Sequence, residues 1–365
     1  MNILQVIYSL SQGGAERFVV NLSNELTEKG HKVTLCTFRD DETDPAMSFN
    51  LQFLNEKVHY VNLKISSGLS IKKINRIENL VKNTRPDIIH CHLNVIPYFY
   101  RLAVTNRKIK IFHTLHSLAE KTYGNKLQFY INKFFYTNLL IRPVTISREC
   151  QLSFEKLYKL PEVPNINNGC PEVLPSPLFS KTKKEVAKYK TNTTEPVFVH
   201  VARFHPLKNQ ELLVDAFNKL AAVQNRFTLL IIGNGFDTPK GLELQRKACR
   251  NIHFLGLKPN VGDYLLCSDA FCLTSHYEGL PISLLEALSC GCVPICTAVG
   301  GITDVITNNR NGYLSSPSSE TAYLEKLLFF MEYPKNITKS SLKEYFQQNY
   351  SMSICTNKYI SLFEQ

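Results

Sequence analysis

The stretch Glu278-Gly279-Leu280-Pro281-Ile282-Ser283-Leu284-Leu285-Glu286 places seven residues between two carboxylates, where a predicted strand gives way to a predicted helix. Proline is favoured in a first helical turn because its missing N–H would be unpaired there, so we predict that Pro281 lies just inside the helix. The free N–H groups of that turn and the helix dipole attract anions. Two carboxylates beside such a turn suit a phosphate compound with hydroxyl groups on either side. A capped surface helix with two solvated acids is also compatible with this stretch.

Size and composition describe an ordinary globular protein. The length of 365 residues allows about two domains, and 44% hydrophobic with 20% charged residues allows sizeable cores. No apolar run approaches the roughly 20 residues of a membrane helix. The first residues lack a basic leader and a cleavage site, so we expect no signal peptide and a cytoplasmic location. The eleven cysteines are scattered through apolar segments, and we expect them to be reduced and mostly buried.

Short apolar segments alternate with amphipathic helices, which is typical of parallel α/β sheets covered on both faces. We predict two doubly wound, Rossmann-like domains at residues 1–170 and 195–340, a proline-, lysine- and threonine-rich linker at residues 171–194, and a C-terminal helix at residues 341–365. The predicted strands lie near residues 2–9, 32–38, 58–63, 88–92, 110–115, 143–146 and 165–169 in the first half, and 196–201, 228–232, 252–255, 270–273 and 293–296 in the second.

Paired glycines follow the first predicted strand in Ser11-Gln12-Gly13-Gly14-Ala15-Glu16-Arg17. Gly13 and Gly14 let the backbone approach a ligand closely, and the helix that follows offers N–H groups to an oxyanion. The dinucleotide fingerprint G-x-G-x-x-G is incomplete here, which disfavours a nicotinamide or flavin site. A tight turn before a helix, with Glu16 complementing the dipole, explains the same residues.

Two cations follow the first strand of the second half, in Arg203-Phe204-His205-Pro206-Leu207-Lys208. Arginine can bind a diphosphate with two hydrogen bonds and lysine as a mobile point charge. Together they would stabilise the charge that builds up on a departing nucleoside diphosphate. Two exposed surface cations are the alternative. Gly233-Asn234-Gly235 ends the next strand. It is either a turn that lies against the ligand or a simple tight turn.

Two histidines end a first-half strand in Phe112-His113-Thr114-Leu115-His116-Ser117. A lone histidine is more often structural than functional, and we interpret His113, on the strand, in that way. His116 comes just after the strand, where ligands of α/β sheets bind, and it is the candidate site residue.

These elements, taken in order, resemble the motifs of retaining GT-B glycosyltransferases, in particular glycosyltransferase family 4. The resemblance spans essentially the whole second half, from the Arg-x4-Lys-Asn element through Glu-x7-Glu to the Gly300-Gly301 turn, and includes the Gly-Gly-Ala-Glu loop. It implies a GT-B fold, in which the two domains face a cleft and the C-terminal helix crosses back to the first domain. Asn168-Gly169 resembles the family's hinge, but Cys170-Pro171 replaces the usual Val-Asp that follows.

The resemblance also implies roles for the residues. The implied catalytic residues are His116, Glu278, Arg203 and Lys208, and the implied acceptor-binding residues are Glu16 and His116. Glu286 would accept hydrogen bonds from ribose hydroxyls. We expect no cofactor and a metal-independent reaction, because the nearest approach to an Asp-x-Asp motif, Asp40-Asp41-Glu42-Thr43-Asp44, reads as a polar loop. The implied donor-binding residues are Gly13, Gly14, Arg203, Lys208, Gly233, Gly279, Leu280, Pro281, Ile282 and Glu286.

The net charge of +11 is unevenly distributed. Between Arg101 and Arg142 there are eight basic residues and one acid, Glu120, interleaved with aromatic residues. A basic, aromatic surface helix suits an anionic membrane, to which each basic residue contributes about 1 kcal/mol. A solvated basic face over core aromatics is the alternative. No nucleic-acid-binding motif accompanies the charge, so we expect no nucleic-acid partner.

The implied function is transfer of a hexose or N-acetylhexosamine from a nucleoside-diphosphate sugar, with UDP the favoured nucleotide, to a glycan acceptor. We expect the acceptor to be linked to a lipid such as a polyprenyl diphosphate, and the enzyme to work at the inner face of the plasma membrane. Capsule, O-antigen or exopolysaccharide biosynthesis is the expected setting. A nucleotide-sugar epimerase, a glycan phosphorylase and a non-catalytic nucleotide-sugar-binding protein remain alternatives.

Overall fold

The computed structural model describes residues 1–39, 45–65, 68 and 70–365. The acidic stretch at residues 40–44, considered above as a metal motif, lies outside the described residues. The chain divides into two compact units, one of Met1–Cys170 with Met352–Gln365 and the other of Pro171–Ser351.

The first unit is a six-stranded parallel sheet with helices. Its strands are β1 (Asn2–Ile7), β2 (Lys32–Thr37), β3 (His59–Asn62), β4 (Ile88–His92), β5 (Lys110–Leu115) and β6 (Arg142–Thr145). Its helices, apart from the last of the chain, are α1 (Gly14–Glu28), α2 (Ile71–Thr84), α3 (Tyr100–Thr105), α4 (Lys126–Thr137) and α5 (Arg148–Tyr158), with 3₁₀ turns at Pro45–Phe53, Ile96–Phe99 and Ala119–Lys121.

The second unit repeats this architecture. Its strands are β7 (Val197–Val201), β8 (Thr228–Ile232), β9 (Ile252–Gly256), β10 (Ala270–Leu273), β11 (Val293–Thr297) and β12 (Tyr313–Ser315). Its helices are α6 (Phe179–Tyr189), α7 (Gln210–Val223), α8 (Pro239–Lys247), α9 (Val261–Leu266), α10 (Ile282–Cys290), α11 (Ile302–Val305), α12 (Glu320–Glu332) and α13 (Lys339–Asn349), with a 3₁₀ turn at Pro206–Lys208; α14 (Met352–Glu364) belongs to the first unit.

Both sheets have the same strand order, β3-β2-β1-β4-β5-β6 and β9-β8-β7-β10-β11-β12. This is the doubly wound arrangement, so the predicted fold class of two doubly wound parallel sheets is confirmed. The order reverses between β1 and β4 and between β7 and β10. Ligands of such sheets bind beyond the carboxyl ends of the strands at the point of reversal. The loops after β1, β4, β7 and β10 are therefore the places to look for a site.

Strands covered on both faces are almost wholly apolar, because neither face reaches water. Every residue of β4, β8 and β11 is buried. All eleven cysteines are free, and all but Cys249 and Cys267 are buried, as expected from their positions in apolar segments.

The structure differs from the predicted elements in four places. A sixth strand, β12, joins the five predicted in the second half; at three residues it is too short to show an alternating pattern. The strand predicted at residues 165–169 is only a bridge between Thr145 and Asn165. The predicted linker contains α6, which buries Thr182 and Val186 one turn apart. The predicted C-terminal helix is two helices, α13 in the second unit and α14 in the first.

Candidate active site

The helix α10 begins one residue later than predicted. Pro281 is the N-cap, with extended backbone at φ −72° and ψ 124°, and no side chain caps the helix. Leu284 donates its N–H to the Pro281 carbonyl at 3.2 Å. Among the described residues the N–H groups of Ile282 and Ser283 have no acceptor, which leaves them available to an anion. The side chains of Leu280 and Ile282 are buried in the core. These two residues can meet a ligand only through their backbone.

Lys208 and Glu278 form an ion pair at the point where the second sheet reverses. The Lys208 Nζ lies 2.6 Å from the Glu278 Oε1, with 25% of the lysine side chain and 8% of the glutamate side chain exposed. Ser275 donates a second hydrogen bond, of 2.6 Å, to the same oxygen. A buried carboxylate is stable only when it is paired and hydrogen-bonded, and these two groups satisfy that need. Lysine has three N–H donors, so Lys208 can also donate to a diphosphate.

Hydrogen bonds between neighbouring strand ends hold this pair in place. The Thr274 hydroxyl donates to the carbonyls of Lys208 and Asn209, at 3.1 Å and 2.9 Å. The Thr297 hydroxyl, at the end of β11, donates to the Ser275 carbonyl at 2.7 Å. The loops after β7, β10 and β11 are thus one connected group, and the site is built on strand ends rather than on a free loop.

Gly300 allows the closest approach in this region. Its φ is +54°, and a Cβ at this position would lie 1.8 Å from the Glu278 carbonyl oxygen. The next residue, Gly301, donates its N–H to the Gly279 carbonyl at 2.6 Å. Only glycine combines this backbone conformation with this contact. The Gly-Gly turn after β11 therefore supports the Glu278 loop from behind.

Arg203 lies two residues after the end of β7 and is exposed. Among the described residues its guanidinium has no ion-pair partner. Its backbone is held by Gln210, whose side-chain N–H donates to the Arg203 carbonyl at 2.9 Å, and by the glycine turn after β8. A Cβ on Gly233 would lie 2.0 Å from the Ala202 carbonyl oxygen. The predicted turn at Gly233 thus packs against the residue that precedes Arg203.

Glu286 lies in the second turn of α10 and is half-buried. The structure thus places Arg203, Lys208, Glu278, Glu286 and the start of α10 at the carboxyl edge of the second sheet. Of these side chains, Lys208 and Glu278 are in direct contact. The roles assigned to these residues remain predictions.

In the first unit, Gly13 is the N-cap of α1, at φ −132° and ψ 158°. The Glu16 carboxylate folds back over it, so that a Cβ on Gly13 would lie 2.0 Å from Glu16 Oε2. The Ser11 hydroxyl donates to Glu16 Oε1 at 3.2 Å. The Gly13-Gly14 turn therefore has the predicted strand-to-helix geometry, and Glu16 complements the dipole at the start of α1.

The two histidines around β5 lie in different surroundings. His113 is buried, and its two ring nitrogens contact the Tyr136 hydroxyl and the Leu93 carbonyl, both at 2.8 Å. It is a structural residue. His116 follows β5 and is partly exposed, and its Nε2 lies 3.0 Å from the Nδ1 of His92. Burial, with His113 nearby, lowers the pKa of His116 to about 3, so its ring is neutral near pH 7.

Sequence reasoning missed the partners of these site residues. His92 and Gln5 lie behind His116, and Ser275 supports Glu278. The histidines of β4 alternate with apolar residues in Ile88-Ile89-His90-Cys91-His92, and this pattern in a buried strand was a signal for His92. No comparable signal marked Gln5 or Ser275, because single polar residues near strand ends are common.

Two kinds of feature are absent from the residues that the structure describes. No group of three or more His, Cys, Asp or Glu side chains there could hold a metal ion. No helix in those ranges combines the length and the apolar character needed to cross a bilayer.

Comparison with known proteins agrees with this architecture. The family model "Glycosyltransferase Family 4" matches residues 12–171, and the model "Glycosyl transferases group 1" matches residues 181–349. The chain is 25% identical to N-acetyl-alpha-D-glucosaminyl L-malate synthase of Bacillus anthracis over 341 residues, covering 87% of this chain and 84% of the relative. It is 24% identical to UDP-Gal:alpha-D-GlcNAc-diphosphoundecaprenol alpha-1,3-galactosyltransferase of Escherichia coli, covering 72% and 71%.

Solved structures share the fold. The Anabaena protein HepE, in complex with UDP, superposes with a TM-score of 0.81 at 18% identity, with both chains fully covered. A glycosyltransferase of Rickettsia africae gives a TM-score of 0.82 at 19% identity, covering 99% of this chain and 97% of that one. The order of the site motifs, the two doubly wound sheets and the two family models lead to one conclusion: this chain is a glycosyltransferase of family 4 with the GT-B fold.

Proposed function

We propose that the protein transfers a hexose or N-acetylhexosamine from a UDP-sugar to a lipid-linked glycan, with retention of anomeric configuration. The observation that carries this proposal is the Lys208–Glu278 ion pair, 2.6 Å long, beside the uncapped start of α10. A cation and free backbone N–H groups at one strand edge provide what a diphosphate needs.

Each residue has a defined part in the proposed reaction. Arg203 and Lys208 neutralise the diphosphate as its bond to the anomeric carbon breaks, and Glu286 accepts hydrogen bonds from the ribose hydroxyls. Glu278 and the backbone at Gly279 hold the donor sugar. The acceptor hydroxyl attacks from the face that the diphosphate leaves, and its proton passes to the departing diphosphate. The charge is stabilised by fixed cations, so the proposed transfer is metal-independent.

In the first unit, we assign Gly13 and Gly14 to donor binding, Glu16 to acceptor binding, and His116 to the sugar being transferred. The neutral His116 ring is suited to a hydrogen bond with a sugar hydroxyl rather than to a charge interaction.

Relatives support a lipid-linked acceptor. The Escherichia coli relative is named for a diphosphoundecaprenol acceptor, and so is a Campylobacter jejuni relative, which is 22% identical over 52% of this chain. We therefore propose a step in bacterial surface polysaccharide biosynthesis, such as capsule, O-antigen or exopolysaccharide assembly.

We also propose that α4 docks the protein on the inner face of an anionic membrane. Leu127, Tyr130 and Phe134, spaced along one helix face, are 70%, 67% and 54% exposed. The helix also carries Lys126 and Lys133 and has no acidic residue. An apolar face flanked by basic residues is the pattern of helices that lie in a membrane interface.

The deciding experiment incubates the purified protein with radiolabelled UDP-sugars and bacterial membranes, followed by NMR of the product. We expect one sugar to enter the lipid fraction with the anomeric configuration of the donor. An inverted product would refute retention. If no nucleotide sugar gives a radiolabelled product in the presence of membranes, the proposed function is refuted.

A further inference from the structure

A chain of buried polar side chains runs behind His116. Gln5 on β1 and His90 on β4 are register partners, and side chains two residues apart share a face of a strand, so Gln5 and His92 project from the same face of the sheet. The His92 Nε2 lies 2.8 Å from the Gln5 Oε1, and the His92 Nδ1 lies 3.0 Å from the His116 Nε2. Gln5 and His92 are fully buried.

The contacts define where the protons are. An amide oxygen only accepts, so the His92 Nε2 carries a hydrogen. Burial lowers the pKa of His92 well below its usual value, and a neutral imidazole has one N–H. The His92 Nδ1 is therefore an acceptor, and the His116 Nε2 donates to it. The remaining nitrogen, His116 Nδ1, is left with a lone pair, and it has no hydrogen-bond partner among the described residues.

We propose that Gln5 and His92 are positioning residues that hold His116 with its Nδ1 as a hydrogen-bond acceptor for a hydroxyl of the bound sugar. This inference rests on the proposed role of His116 at the sugar. It adds two residues, neither of which follows a strand or belongs to a motif.

The surroundings fix the ring orientations. Phe18 of α1 packs edge-on against both rings, with centroid distances of 6.2 Å to His92 and 5.6 Å to His116. With its plane held by Phe18 and its Nε2 held by His92, the His116 ring has one available orientation. A hydrogen-bond acceptor aimed in advance costs no reorganisation when the substrate binds.

The buried polar side chains behind His116 also reduce the stability of the fold. The Gln5 Nε2 is buried and has no hydrogen-bond partner within the part of the chain that the structure describes, and such a donor costs about 1–3 kcal/mol. An apolar side chain at this position would avoid that cost. Proteins typically tolerate such an unpaired buried group at functional sites. The Gln5 side chain is therefore better explained by a role in function than by a role in stability.

The first test reads the proton positions directly. We would label the histidines with ¹⁵N and assign His92 and His116 through their variants. We expect hydrogen on Nε2 of both rings in the native protein. In Gln5→Leu the His92 Nε2 has no acceptor. We therefore expect the hydrogen to move from Nε2 to Nδ1 on both rings. Hydrogen on Nδ1 of either ring in the native protein would overturn the proposal. So would hydrogen that stays on Nε2 of both rings in Gln5→Leu.

The second test compares two substitutions of similar polarity. Asparagine at position 92 places an amide oxygen near the Nδ1 position and keeps an acceptor for His116, whereas glutamine places its amide near Nε2 and does not. We expect kcat to fall more in His92→Gln than in His92→Asn, by about 10–100-fold as for partners of metal-binding histidines. Equal kcat values in both, at unchanged KM for the donor, would reduce His92 to a packing residue.

A third comparison separates this inference from the proposed function. His116→Ala should lose transfer. If it does while Gln5→Leu and His92→Gln transfer like the native protein, the positioning role is refuted and the function stands. If the native protein uses no nucleotide sugar, the proposed function is refuted. The ¹⁵N spectra still show which ring nitrogens of His92 and His116 carry hydrogen.

Discussion

The Lys208 ammonium and the Glu278 carboxylate are 2.6 Å apart and join the loops that follow two neighbouring strands, β7 and β10. The buried carboxylate thereby holds the lysine at the strand edge when no anion is bound. An arriving diphosphate would find the cation already in position, and Glu278 would keep its bond from Ser275.

Glu286→Ala should weaken UDP binding and abolish transfer. Loss of hydrogen bonds to a charged group costs about 1.5–3 kcal/mol, so we expect a 10–100-fold higher Kd by calorimetry. Glu286 is half-buried on a helix that buries seven other residues, so circular dichroism should show a folded protein. Native transfer rates in this variant would show that Glu286 does not bind the donor.

Lys208→Ala should lose both transfer and stability, because it leaves the Glu278 carboxylate buried without its cation. We expect a loss of about 1–3 kcal/mol in the free energy of unfolding. In the double variant Lys208→Ala with Glu278→Gln the buried charge is gone, so stability should largely return while transfer stays absent. If stability and activity recovered together, Lys208 would have a structural role only.

Gly300→Ala should displace the Glu278 loop, since the new Cβ would meet the Glu278 carbonyl at 1.8 Å. We expect loss of transfer with a cooperative fold retained. The matched control is Gly256→Ala: φ there is +66°, and no described residue has an atom within 4 Å of the added Cβ. That variant should lose only about 1–2 kcal/mol of stability and remain active. Equal activity losses in both would assign the effect to backbone strain.

The sequence predicted the architecture well, because buried parallel strands such as β8 and β10 are nearly continuous apolar runs with clear ends. It failed where the signal was short or ambiguous. β12 has only three residues, and the lysines of α6 read as a linker although Thr182 and Val186 are buried. Pro281 was placed one residue too far into its helix.

Motif residues of the candidate site could be predicted because they follow strands, and strand ends are where ligands bind. Their supporting residues could not. Gln5 and His92 are adjacent to His116 only after β1, β4 and β5 have paired, and no spacing along the chain reports that register.

Membrane docking predicts a charge-dependent loss of binding. The double variant Lys126→Glu with Lys133→Glu should reduce sedimentation with anionic liposomes, because each basic residue near such a surface contributes about 1 kcal/mol. The control, Lys183→Glu with Lys184→Glu on α6, makes the same change in net charge in the other unit and should bind like the native protein. Equal sedimentation of all three proteins would remove α4 as the docking helix.

Acid should destabilise the first unit. Burial lowers the pKa of His113 to about 4 and of His116 to about 3, and those of His90 and His92 well below the ordinary value. The unfolded chain binds these protons below about pH 6.5 and the native state does not, so stability falls as pH decreases from about 6.5 towards 4. Each histidine contributes about 1.4 kcal/mol per pH unit.

Urea unfolding at pH 7, 6 and 5 measures this effect. His92→Asn removes one of the four groups, and its stability should fall less steeply with decreasing pH. A native protein equally stable at pH 7 and pH 5 would contradict the prediction.

The position of α14 has a consequence for how the protein is made. Tyr359 of this helix packs against Phe18 and His90 and hydrogen-bonds Thr114, yet it leaves the ribosome after all of residues 171–351. The first unit is translated first, yet it cannot complete its core until the last segment of the chain, Met352–Gln365, has been made. We therefore expect the first unit to finish folding only after synthesis of the whole chain.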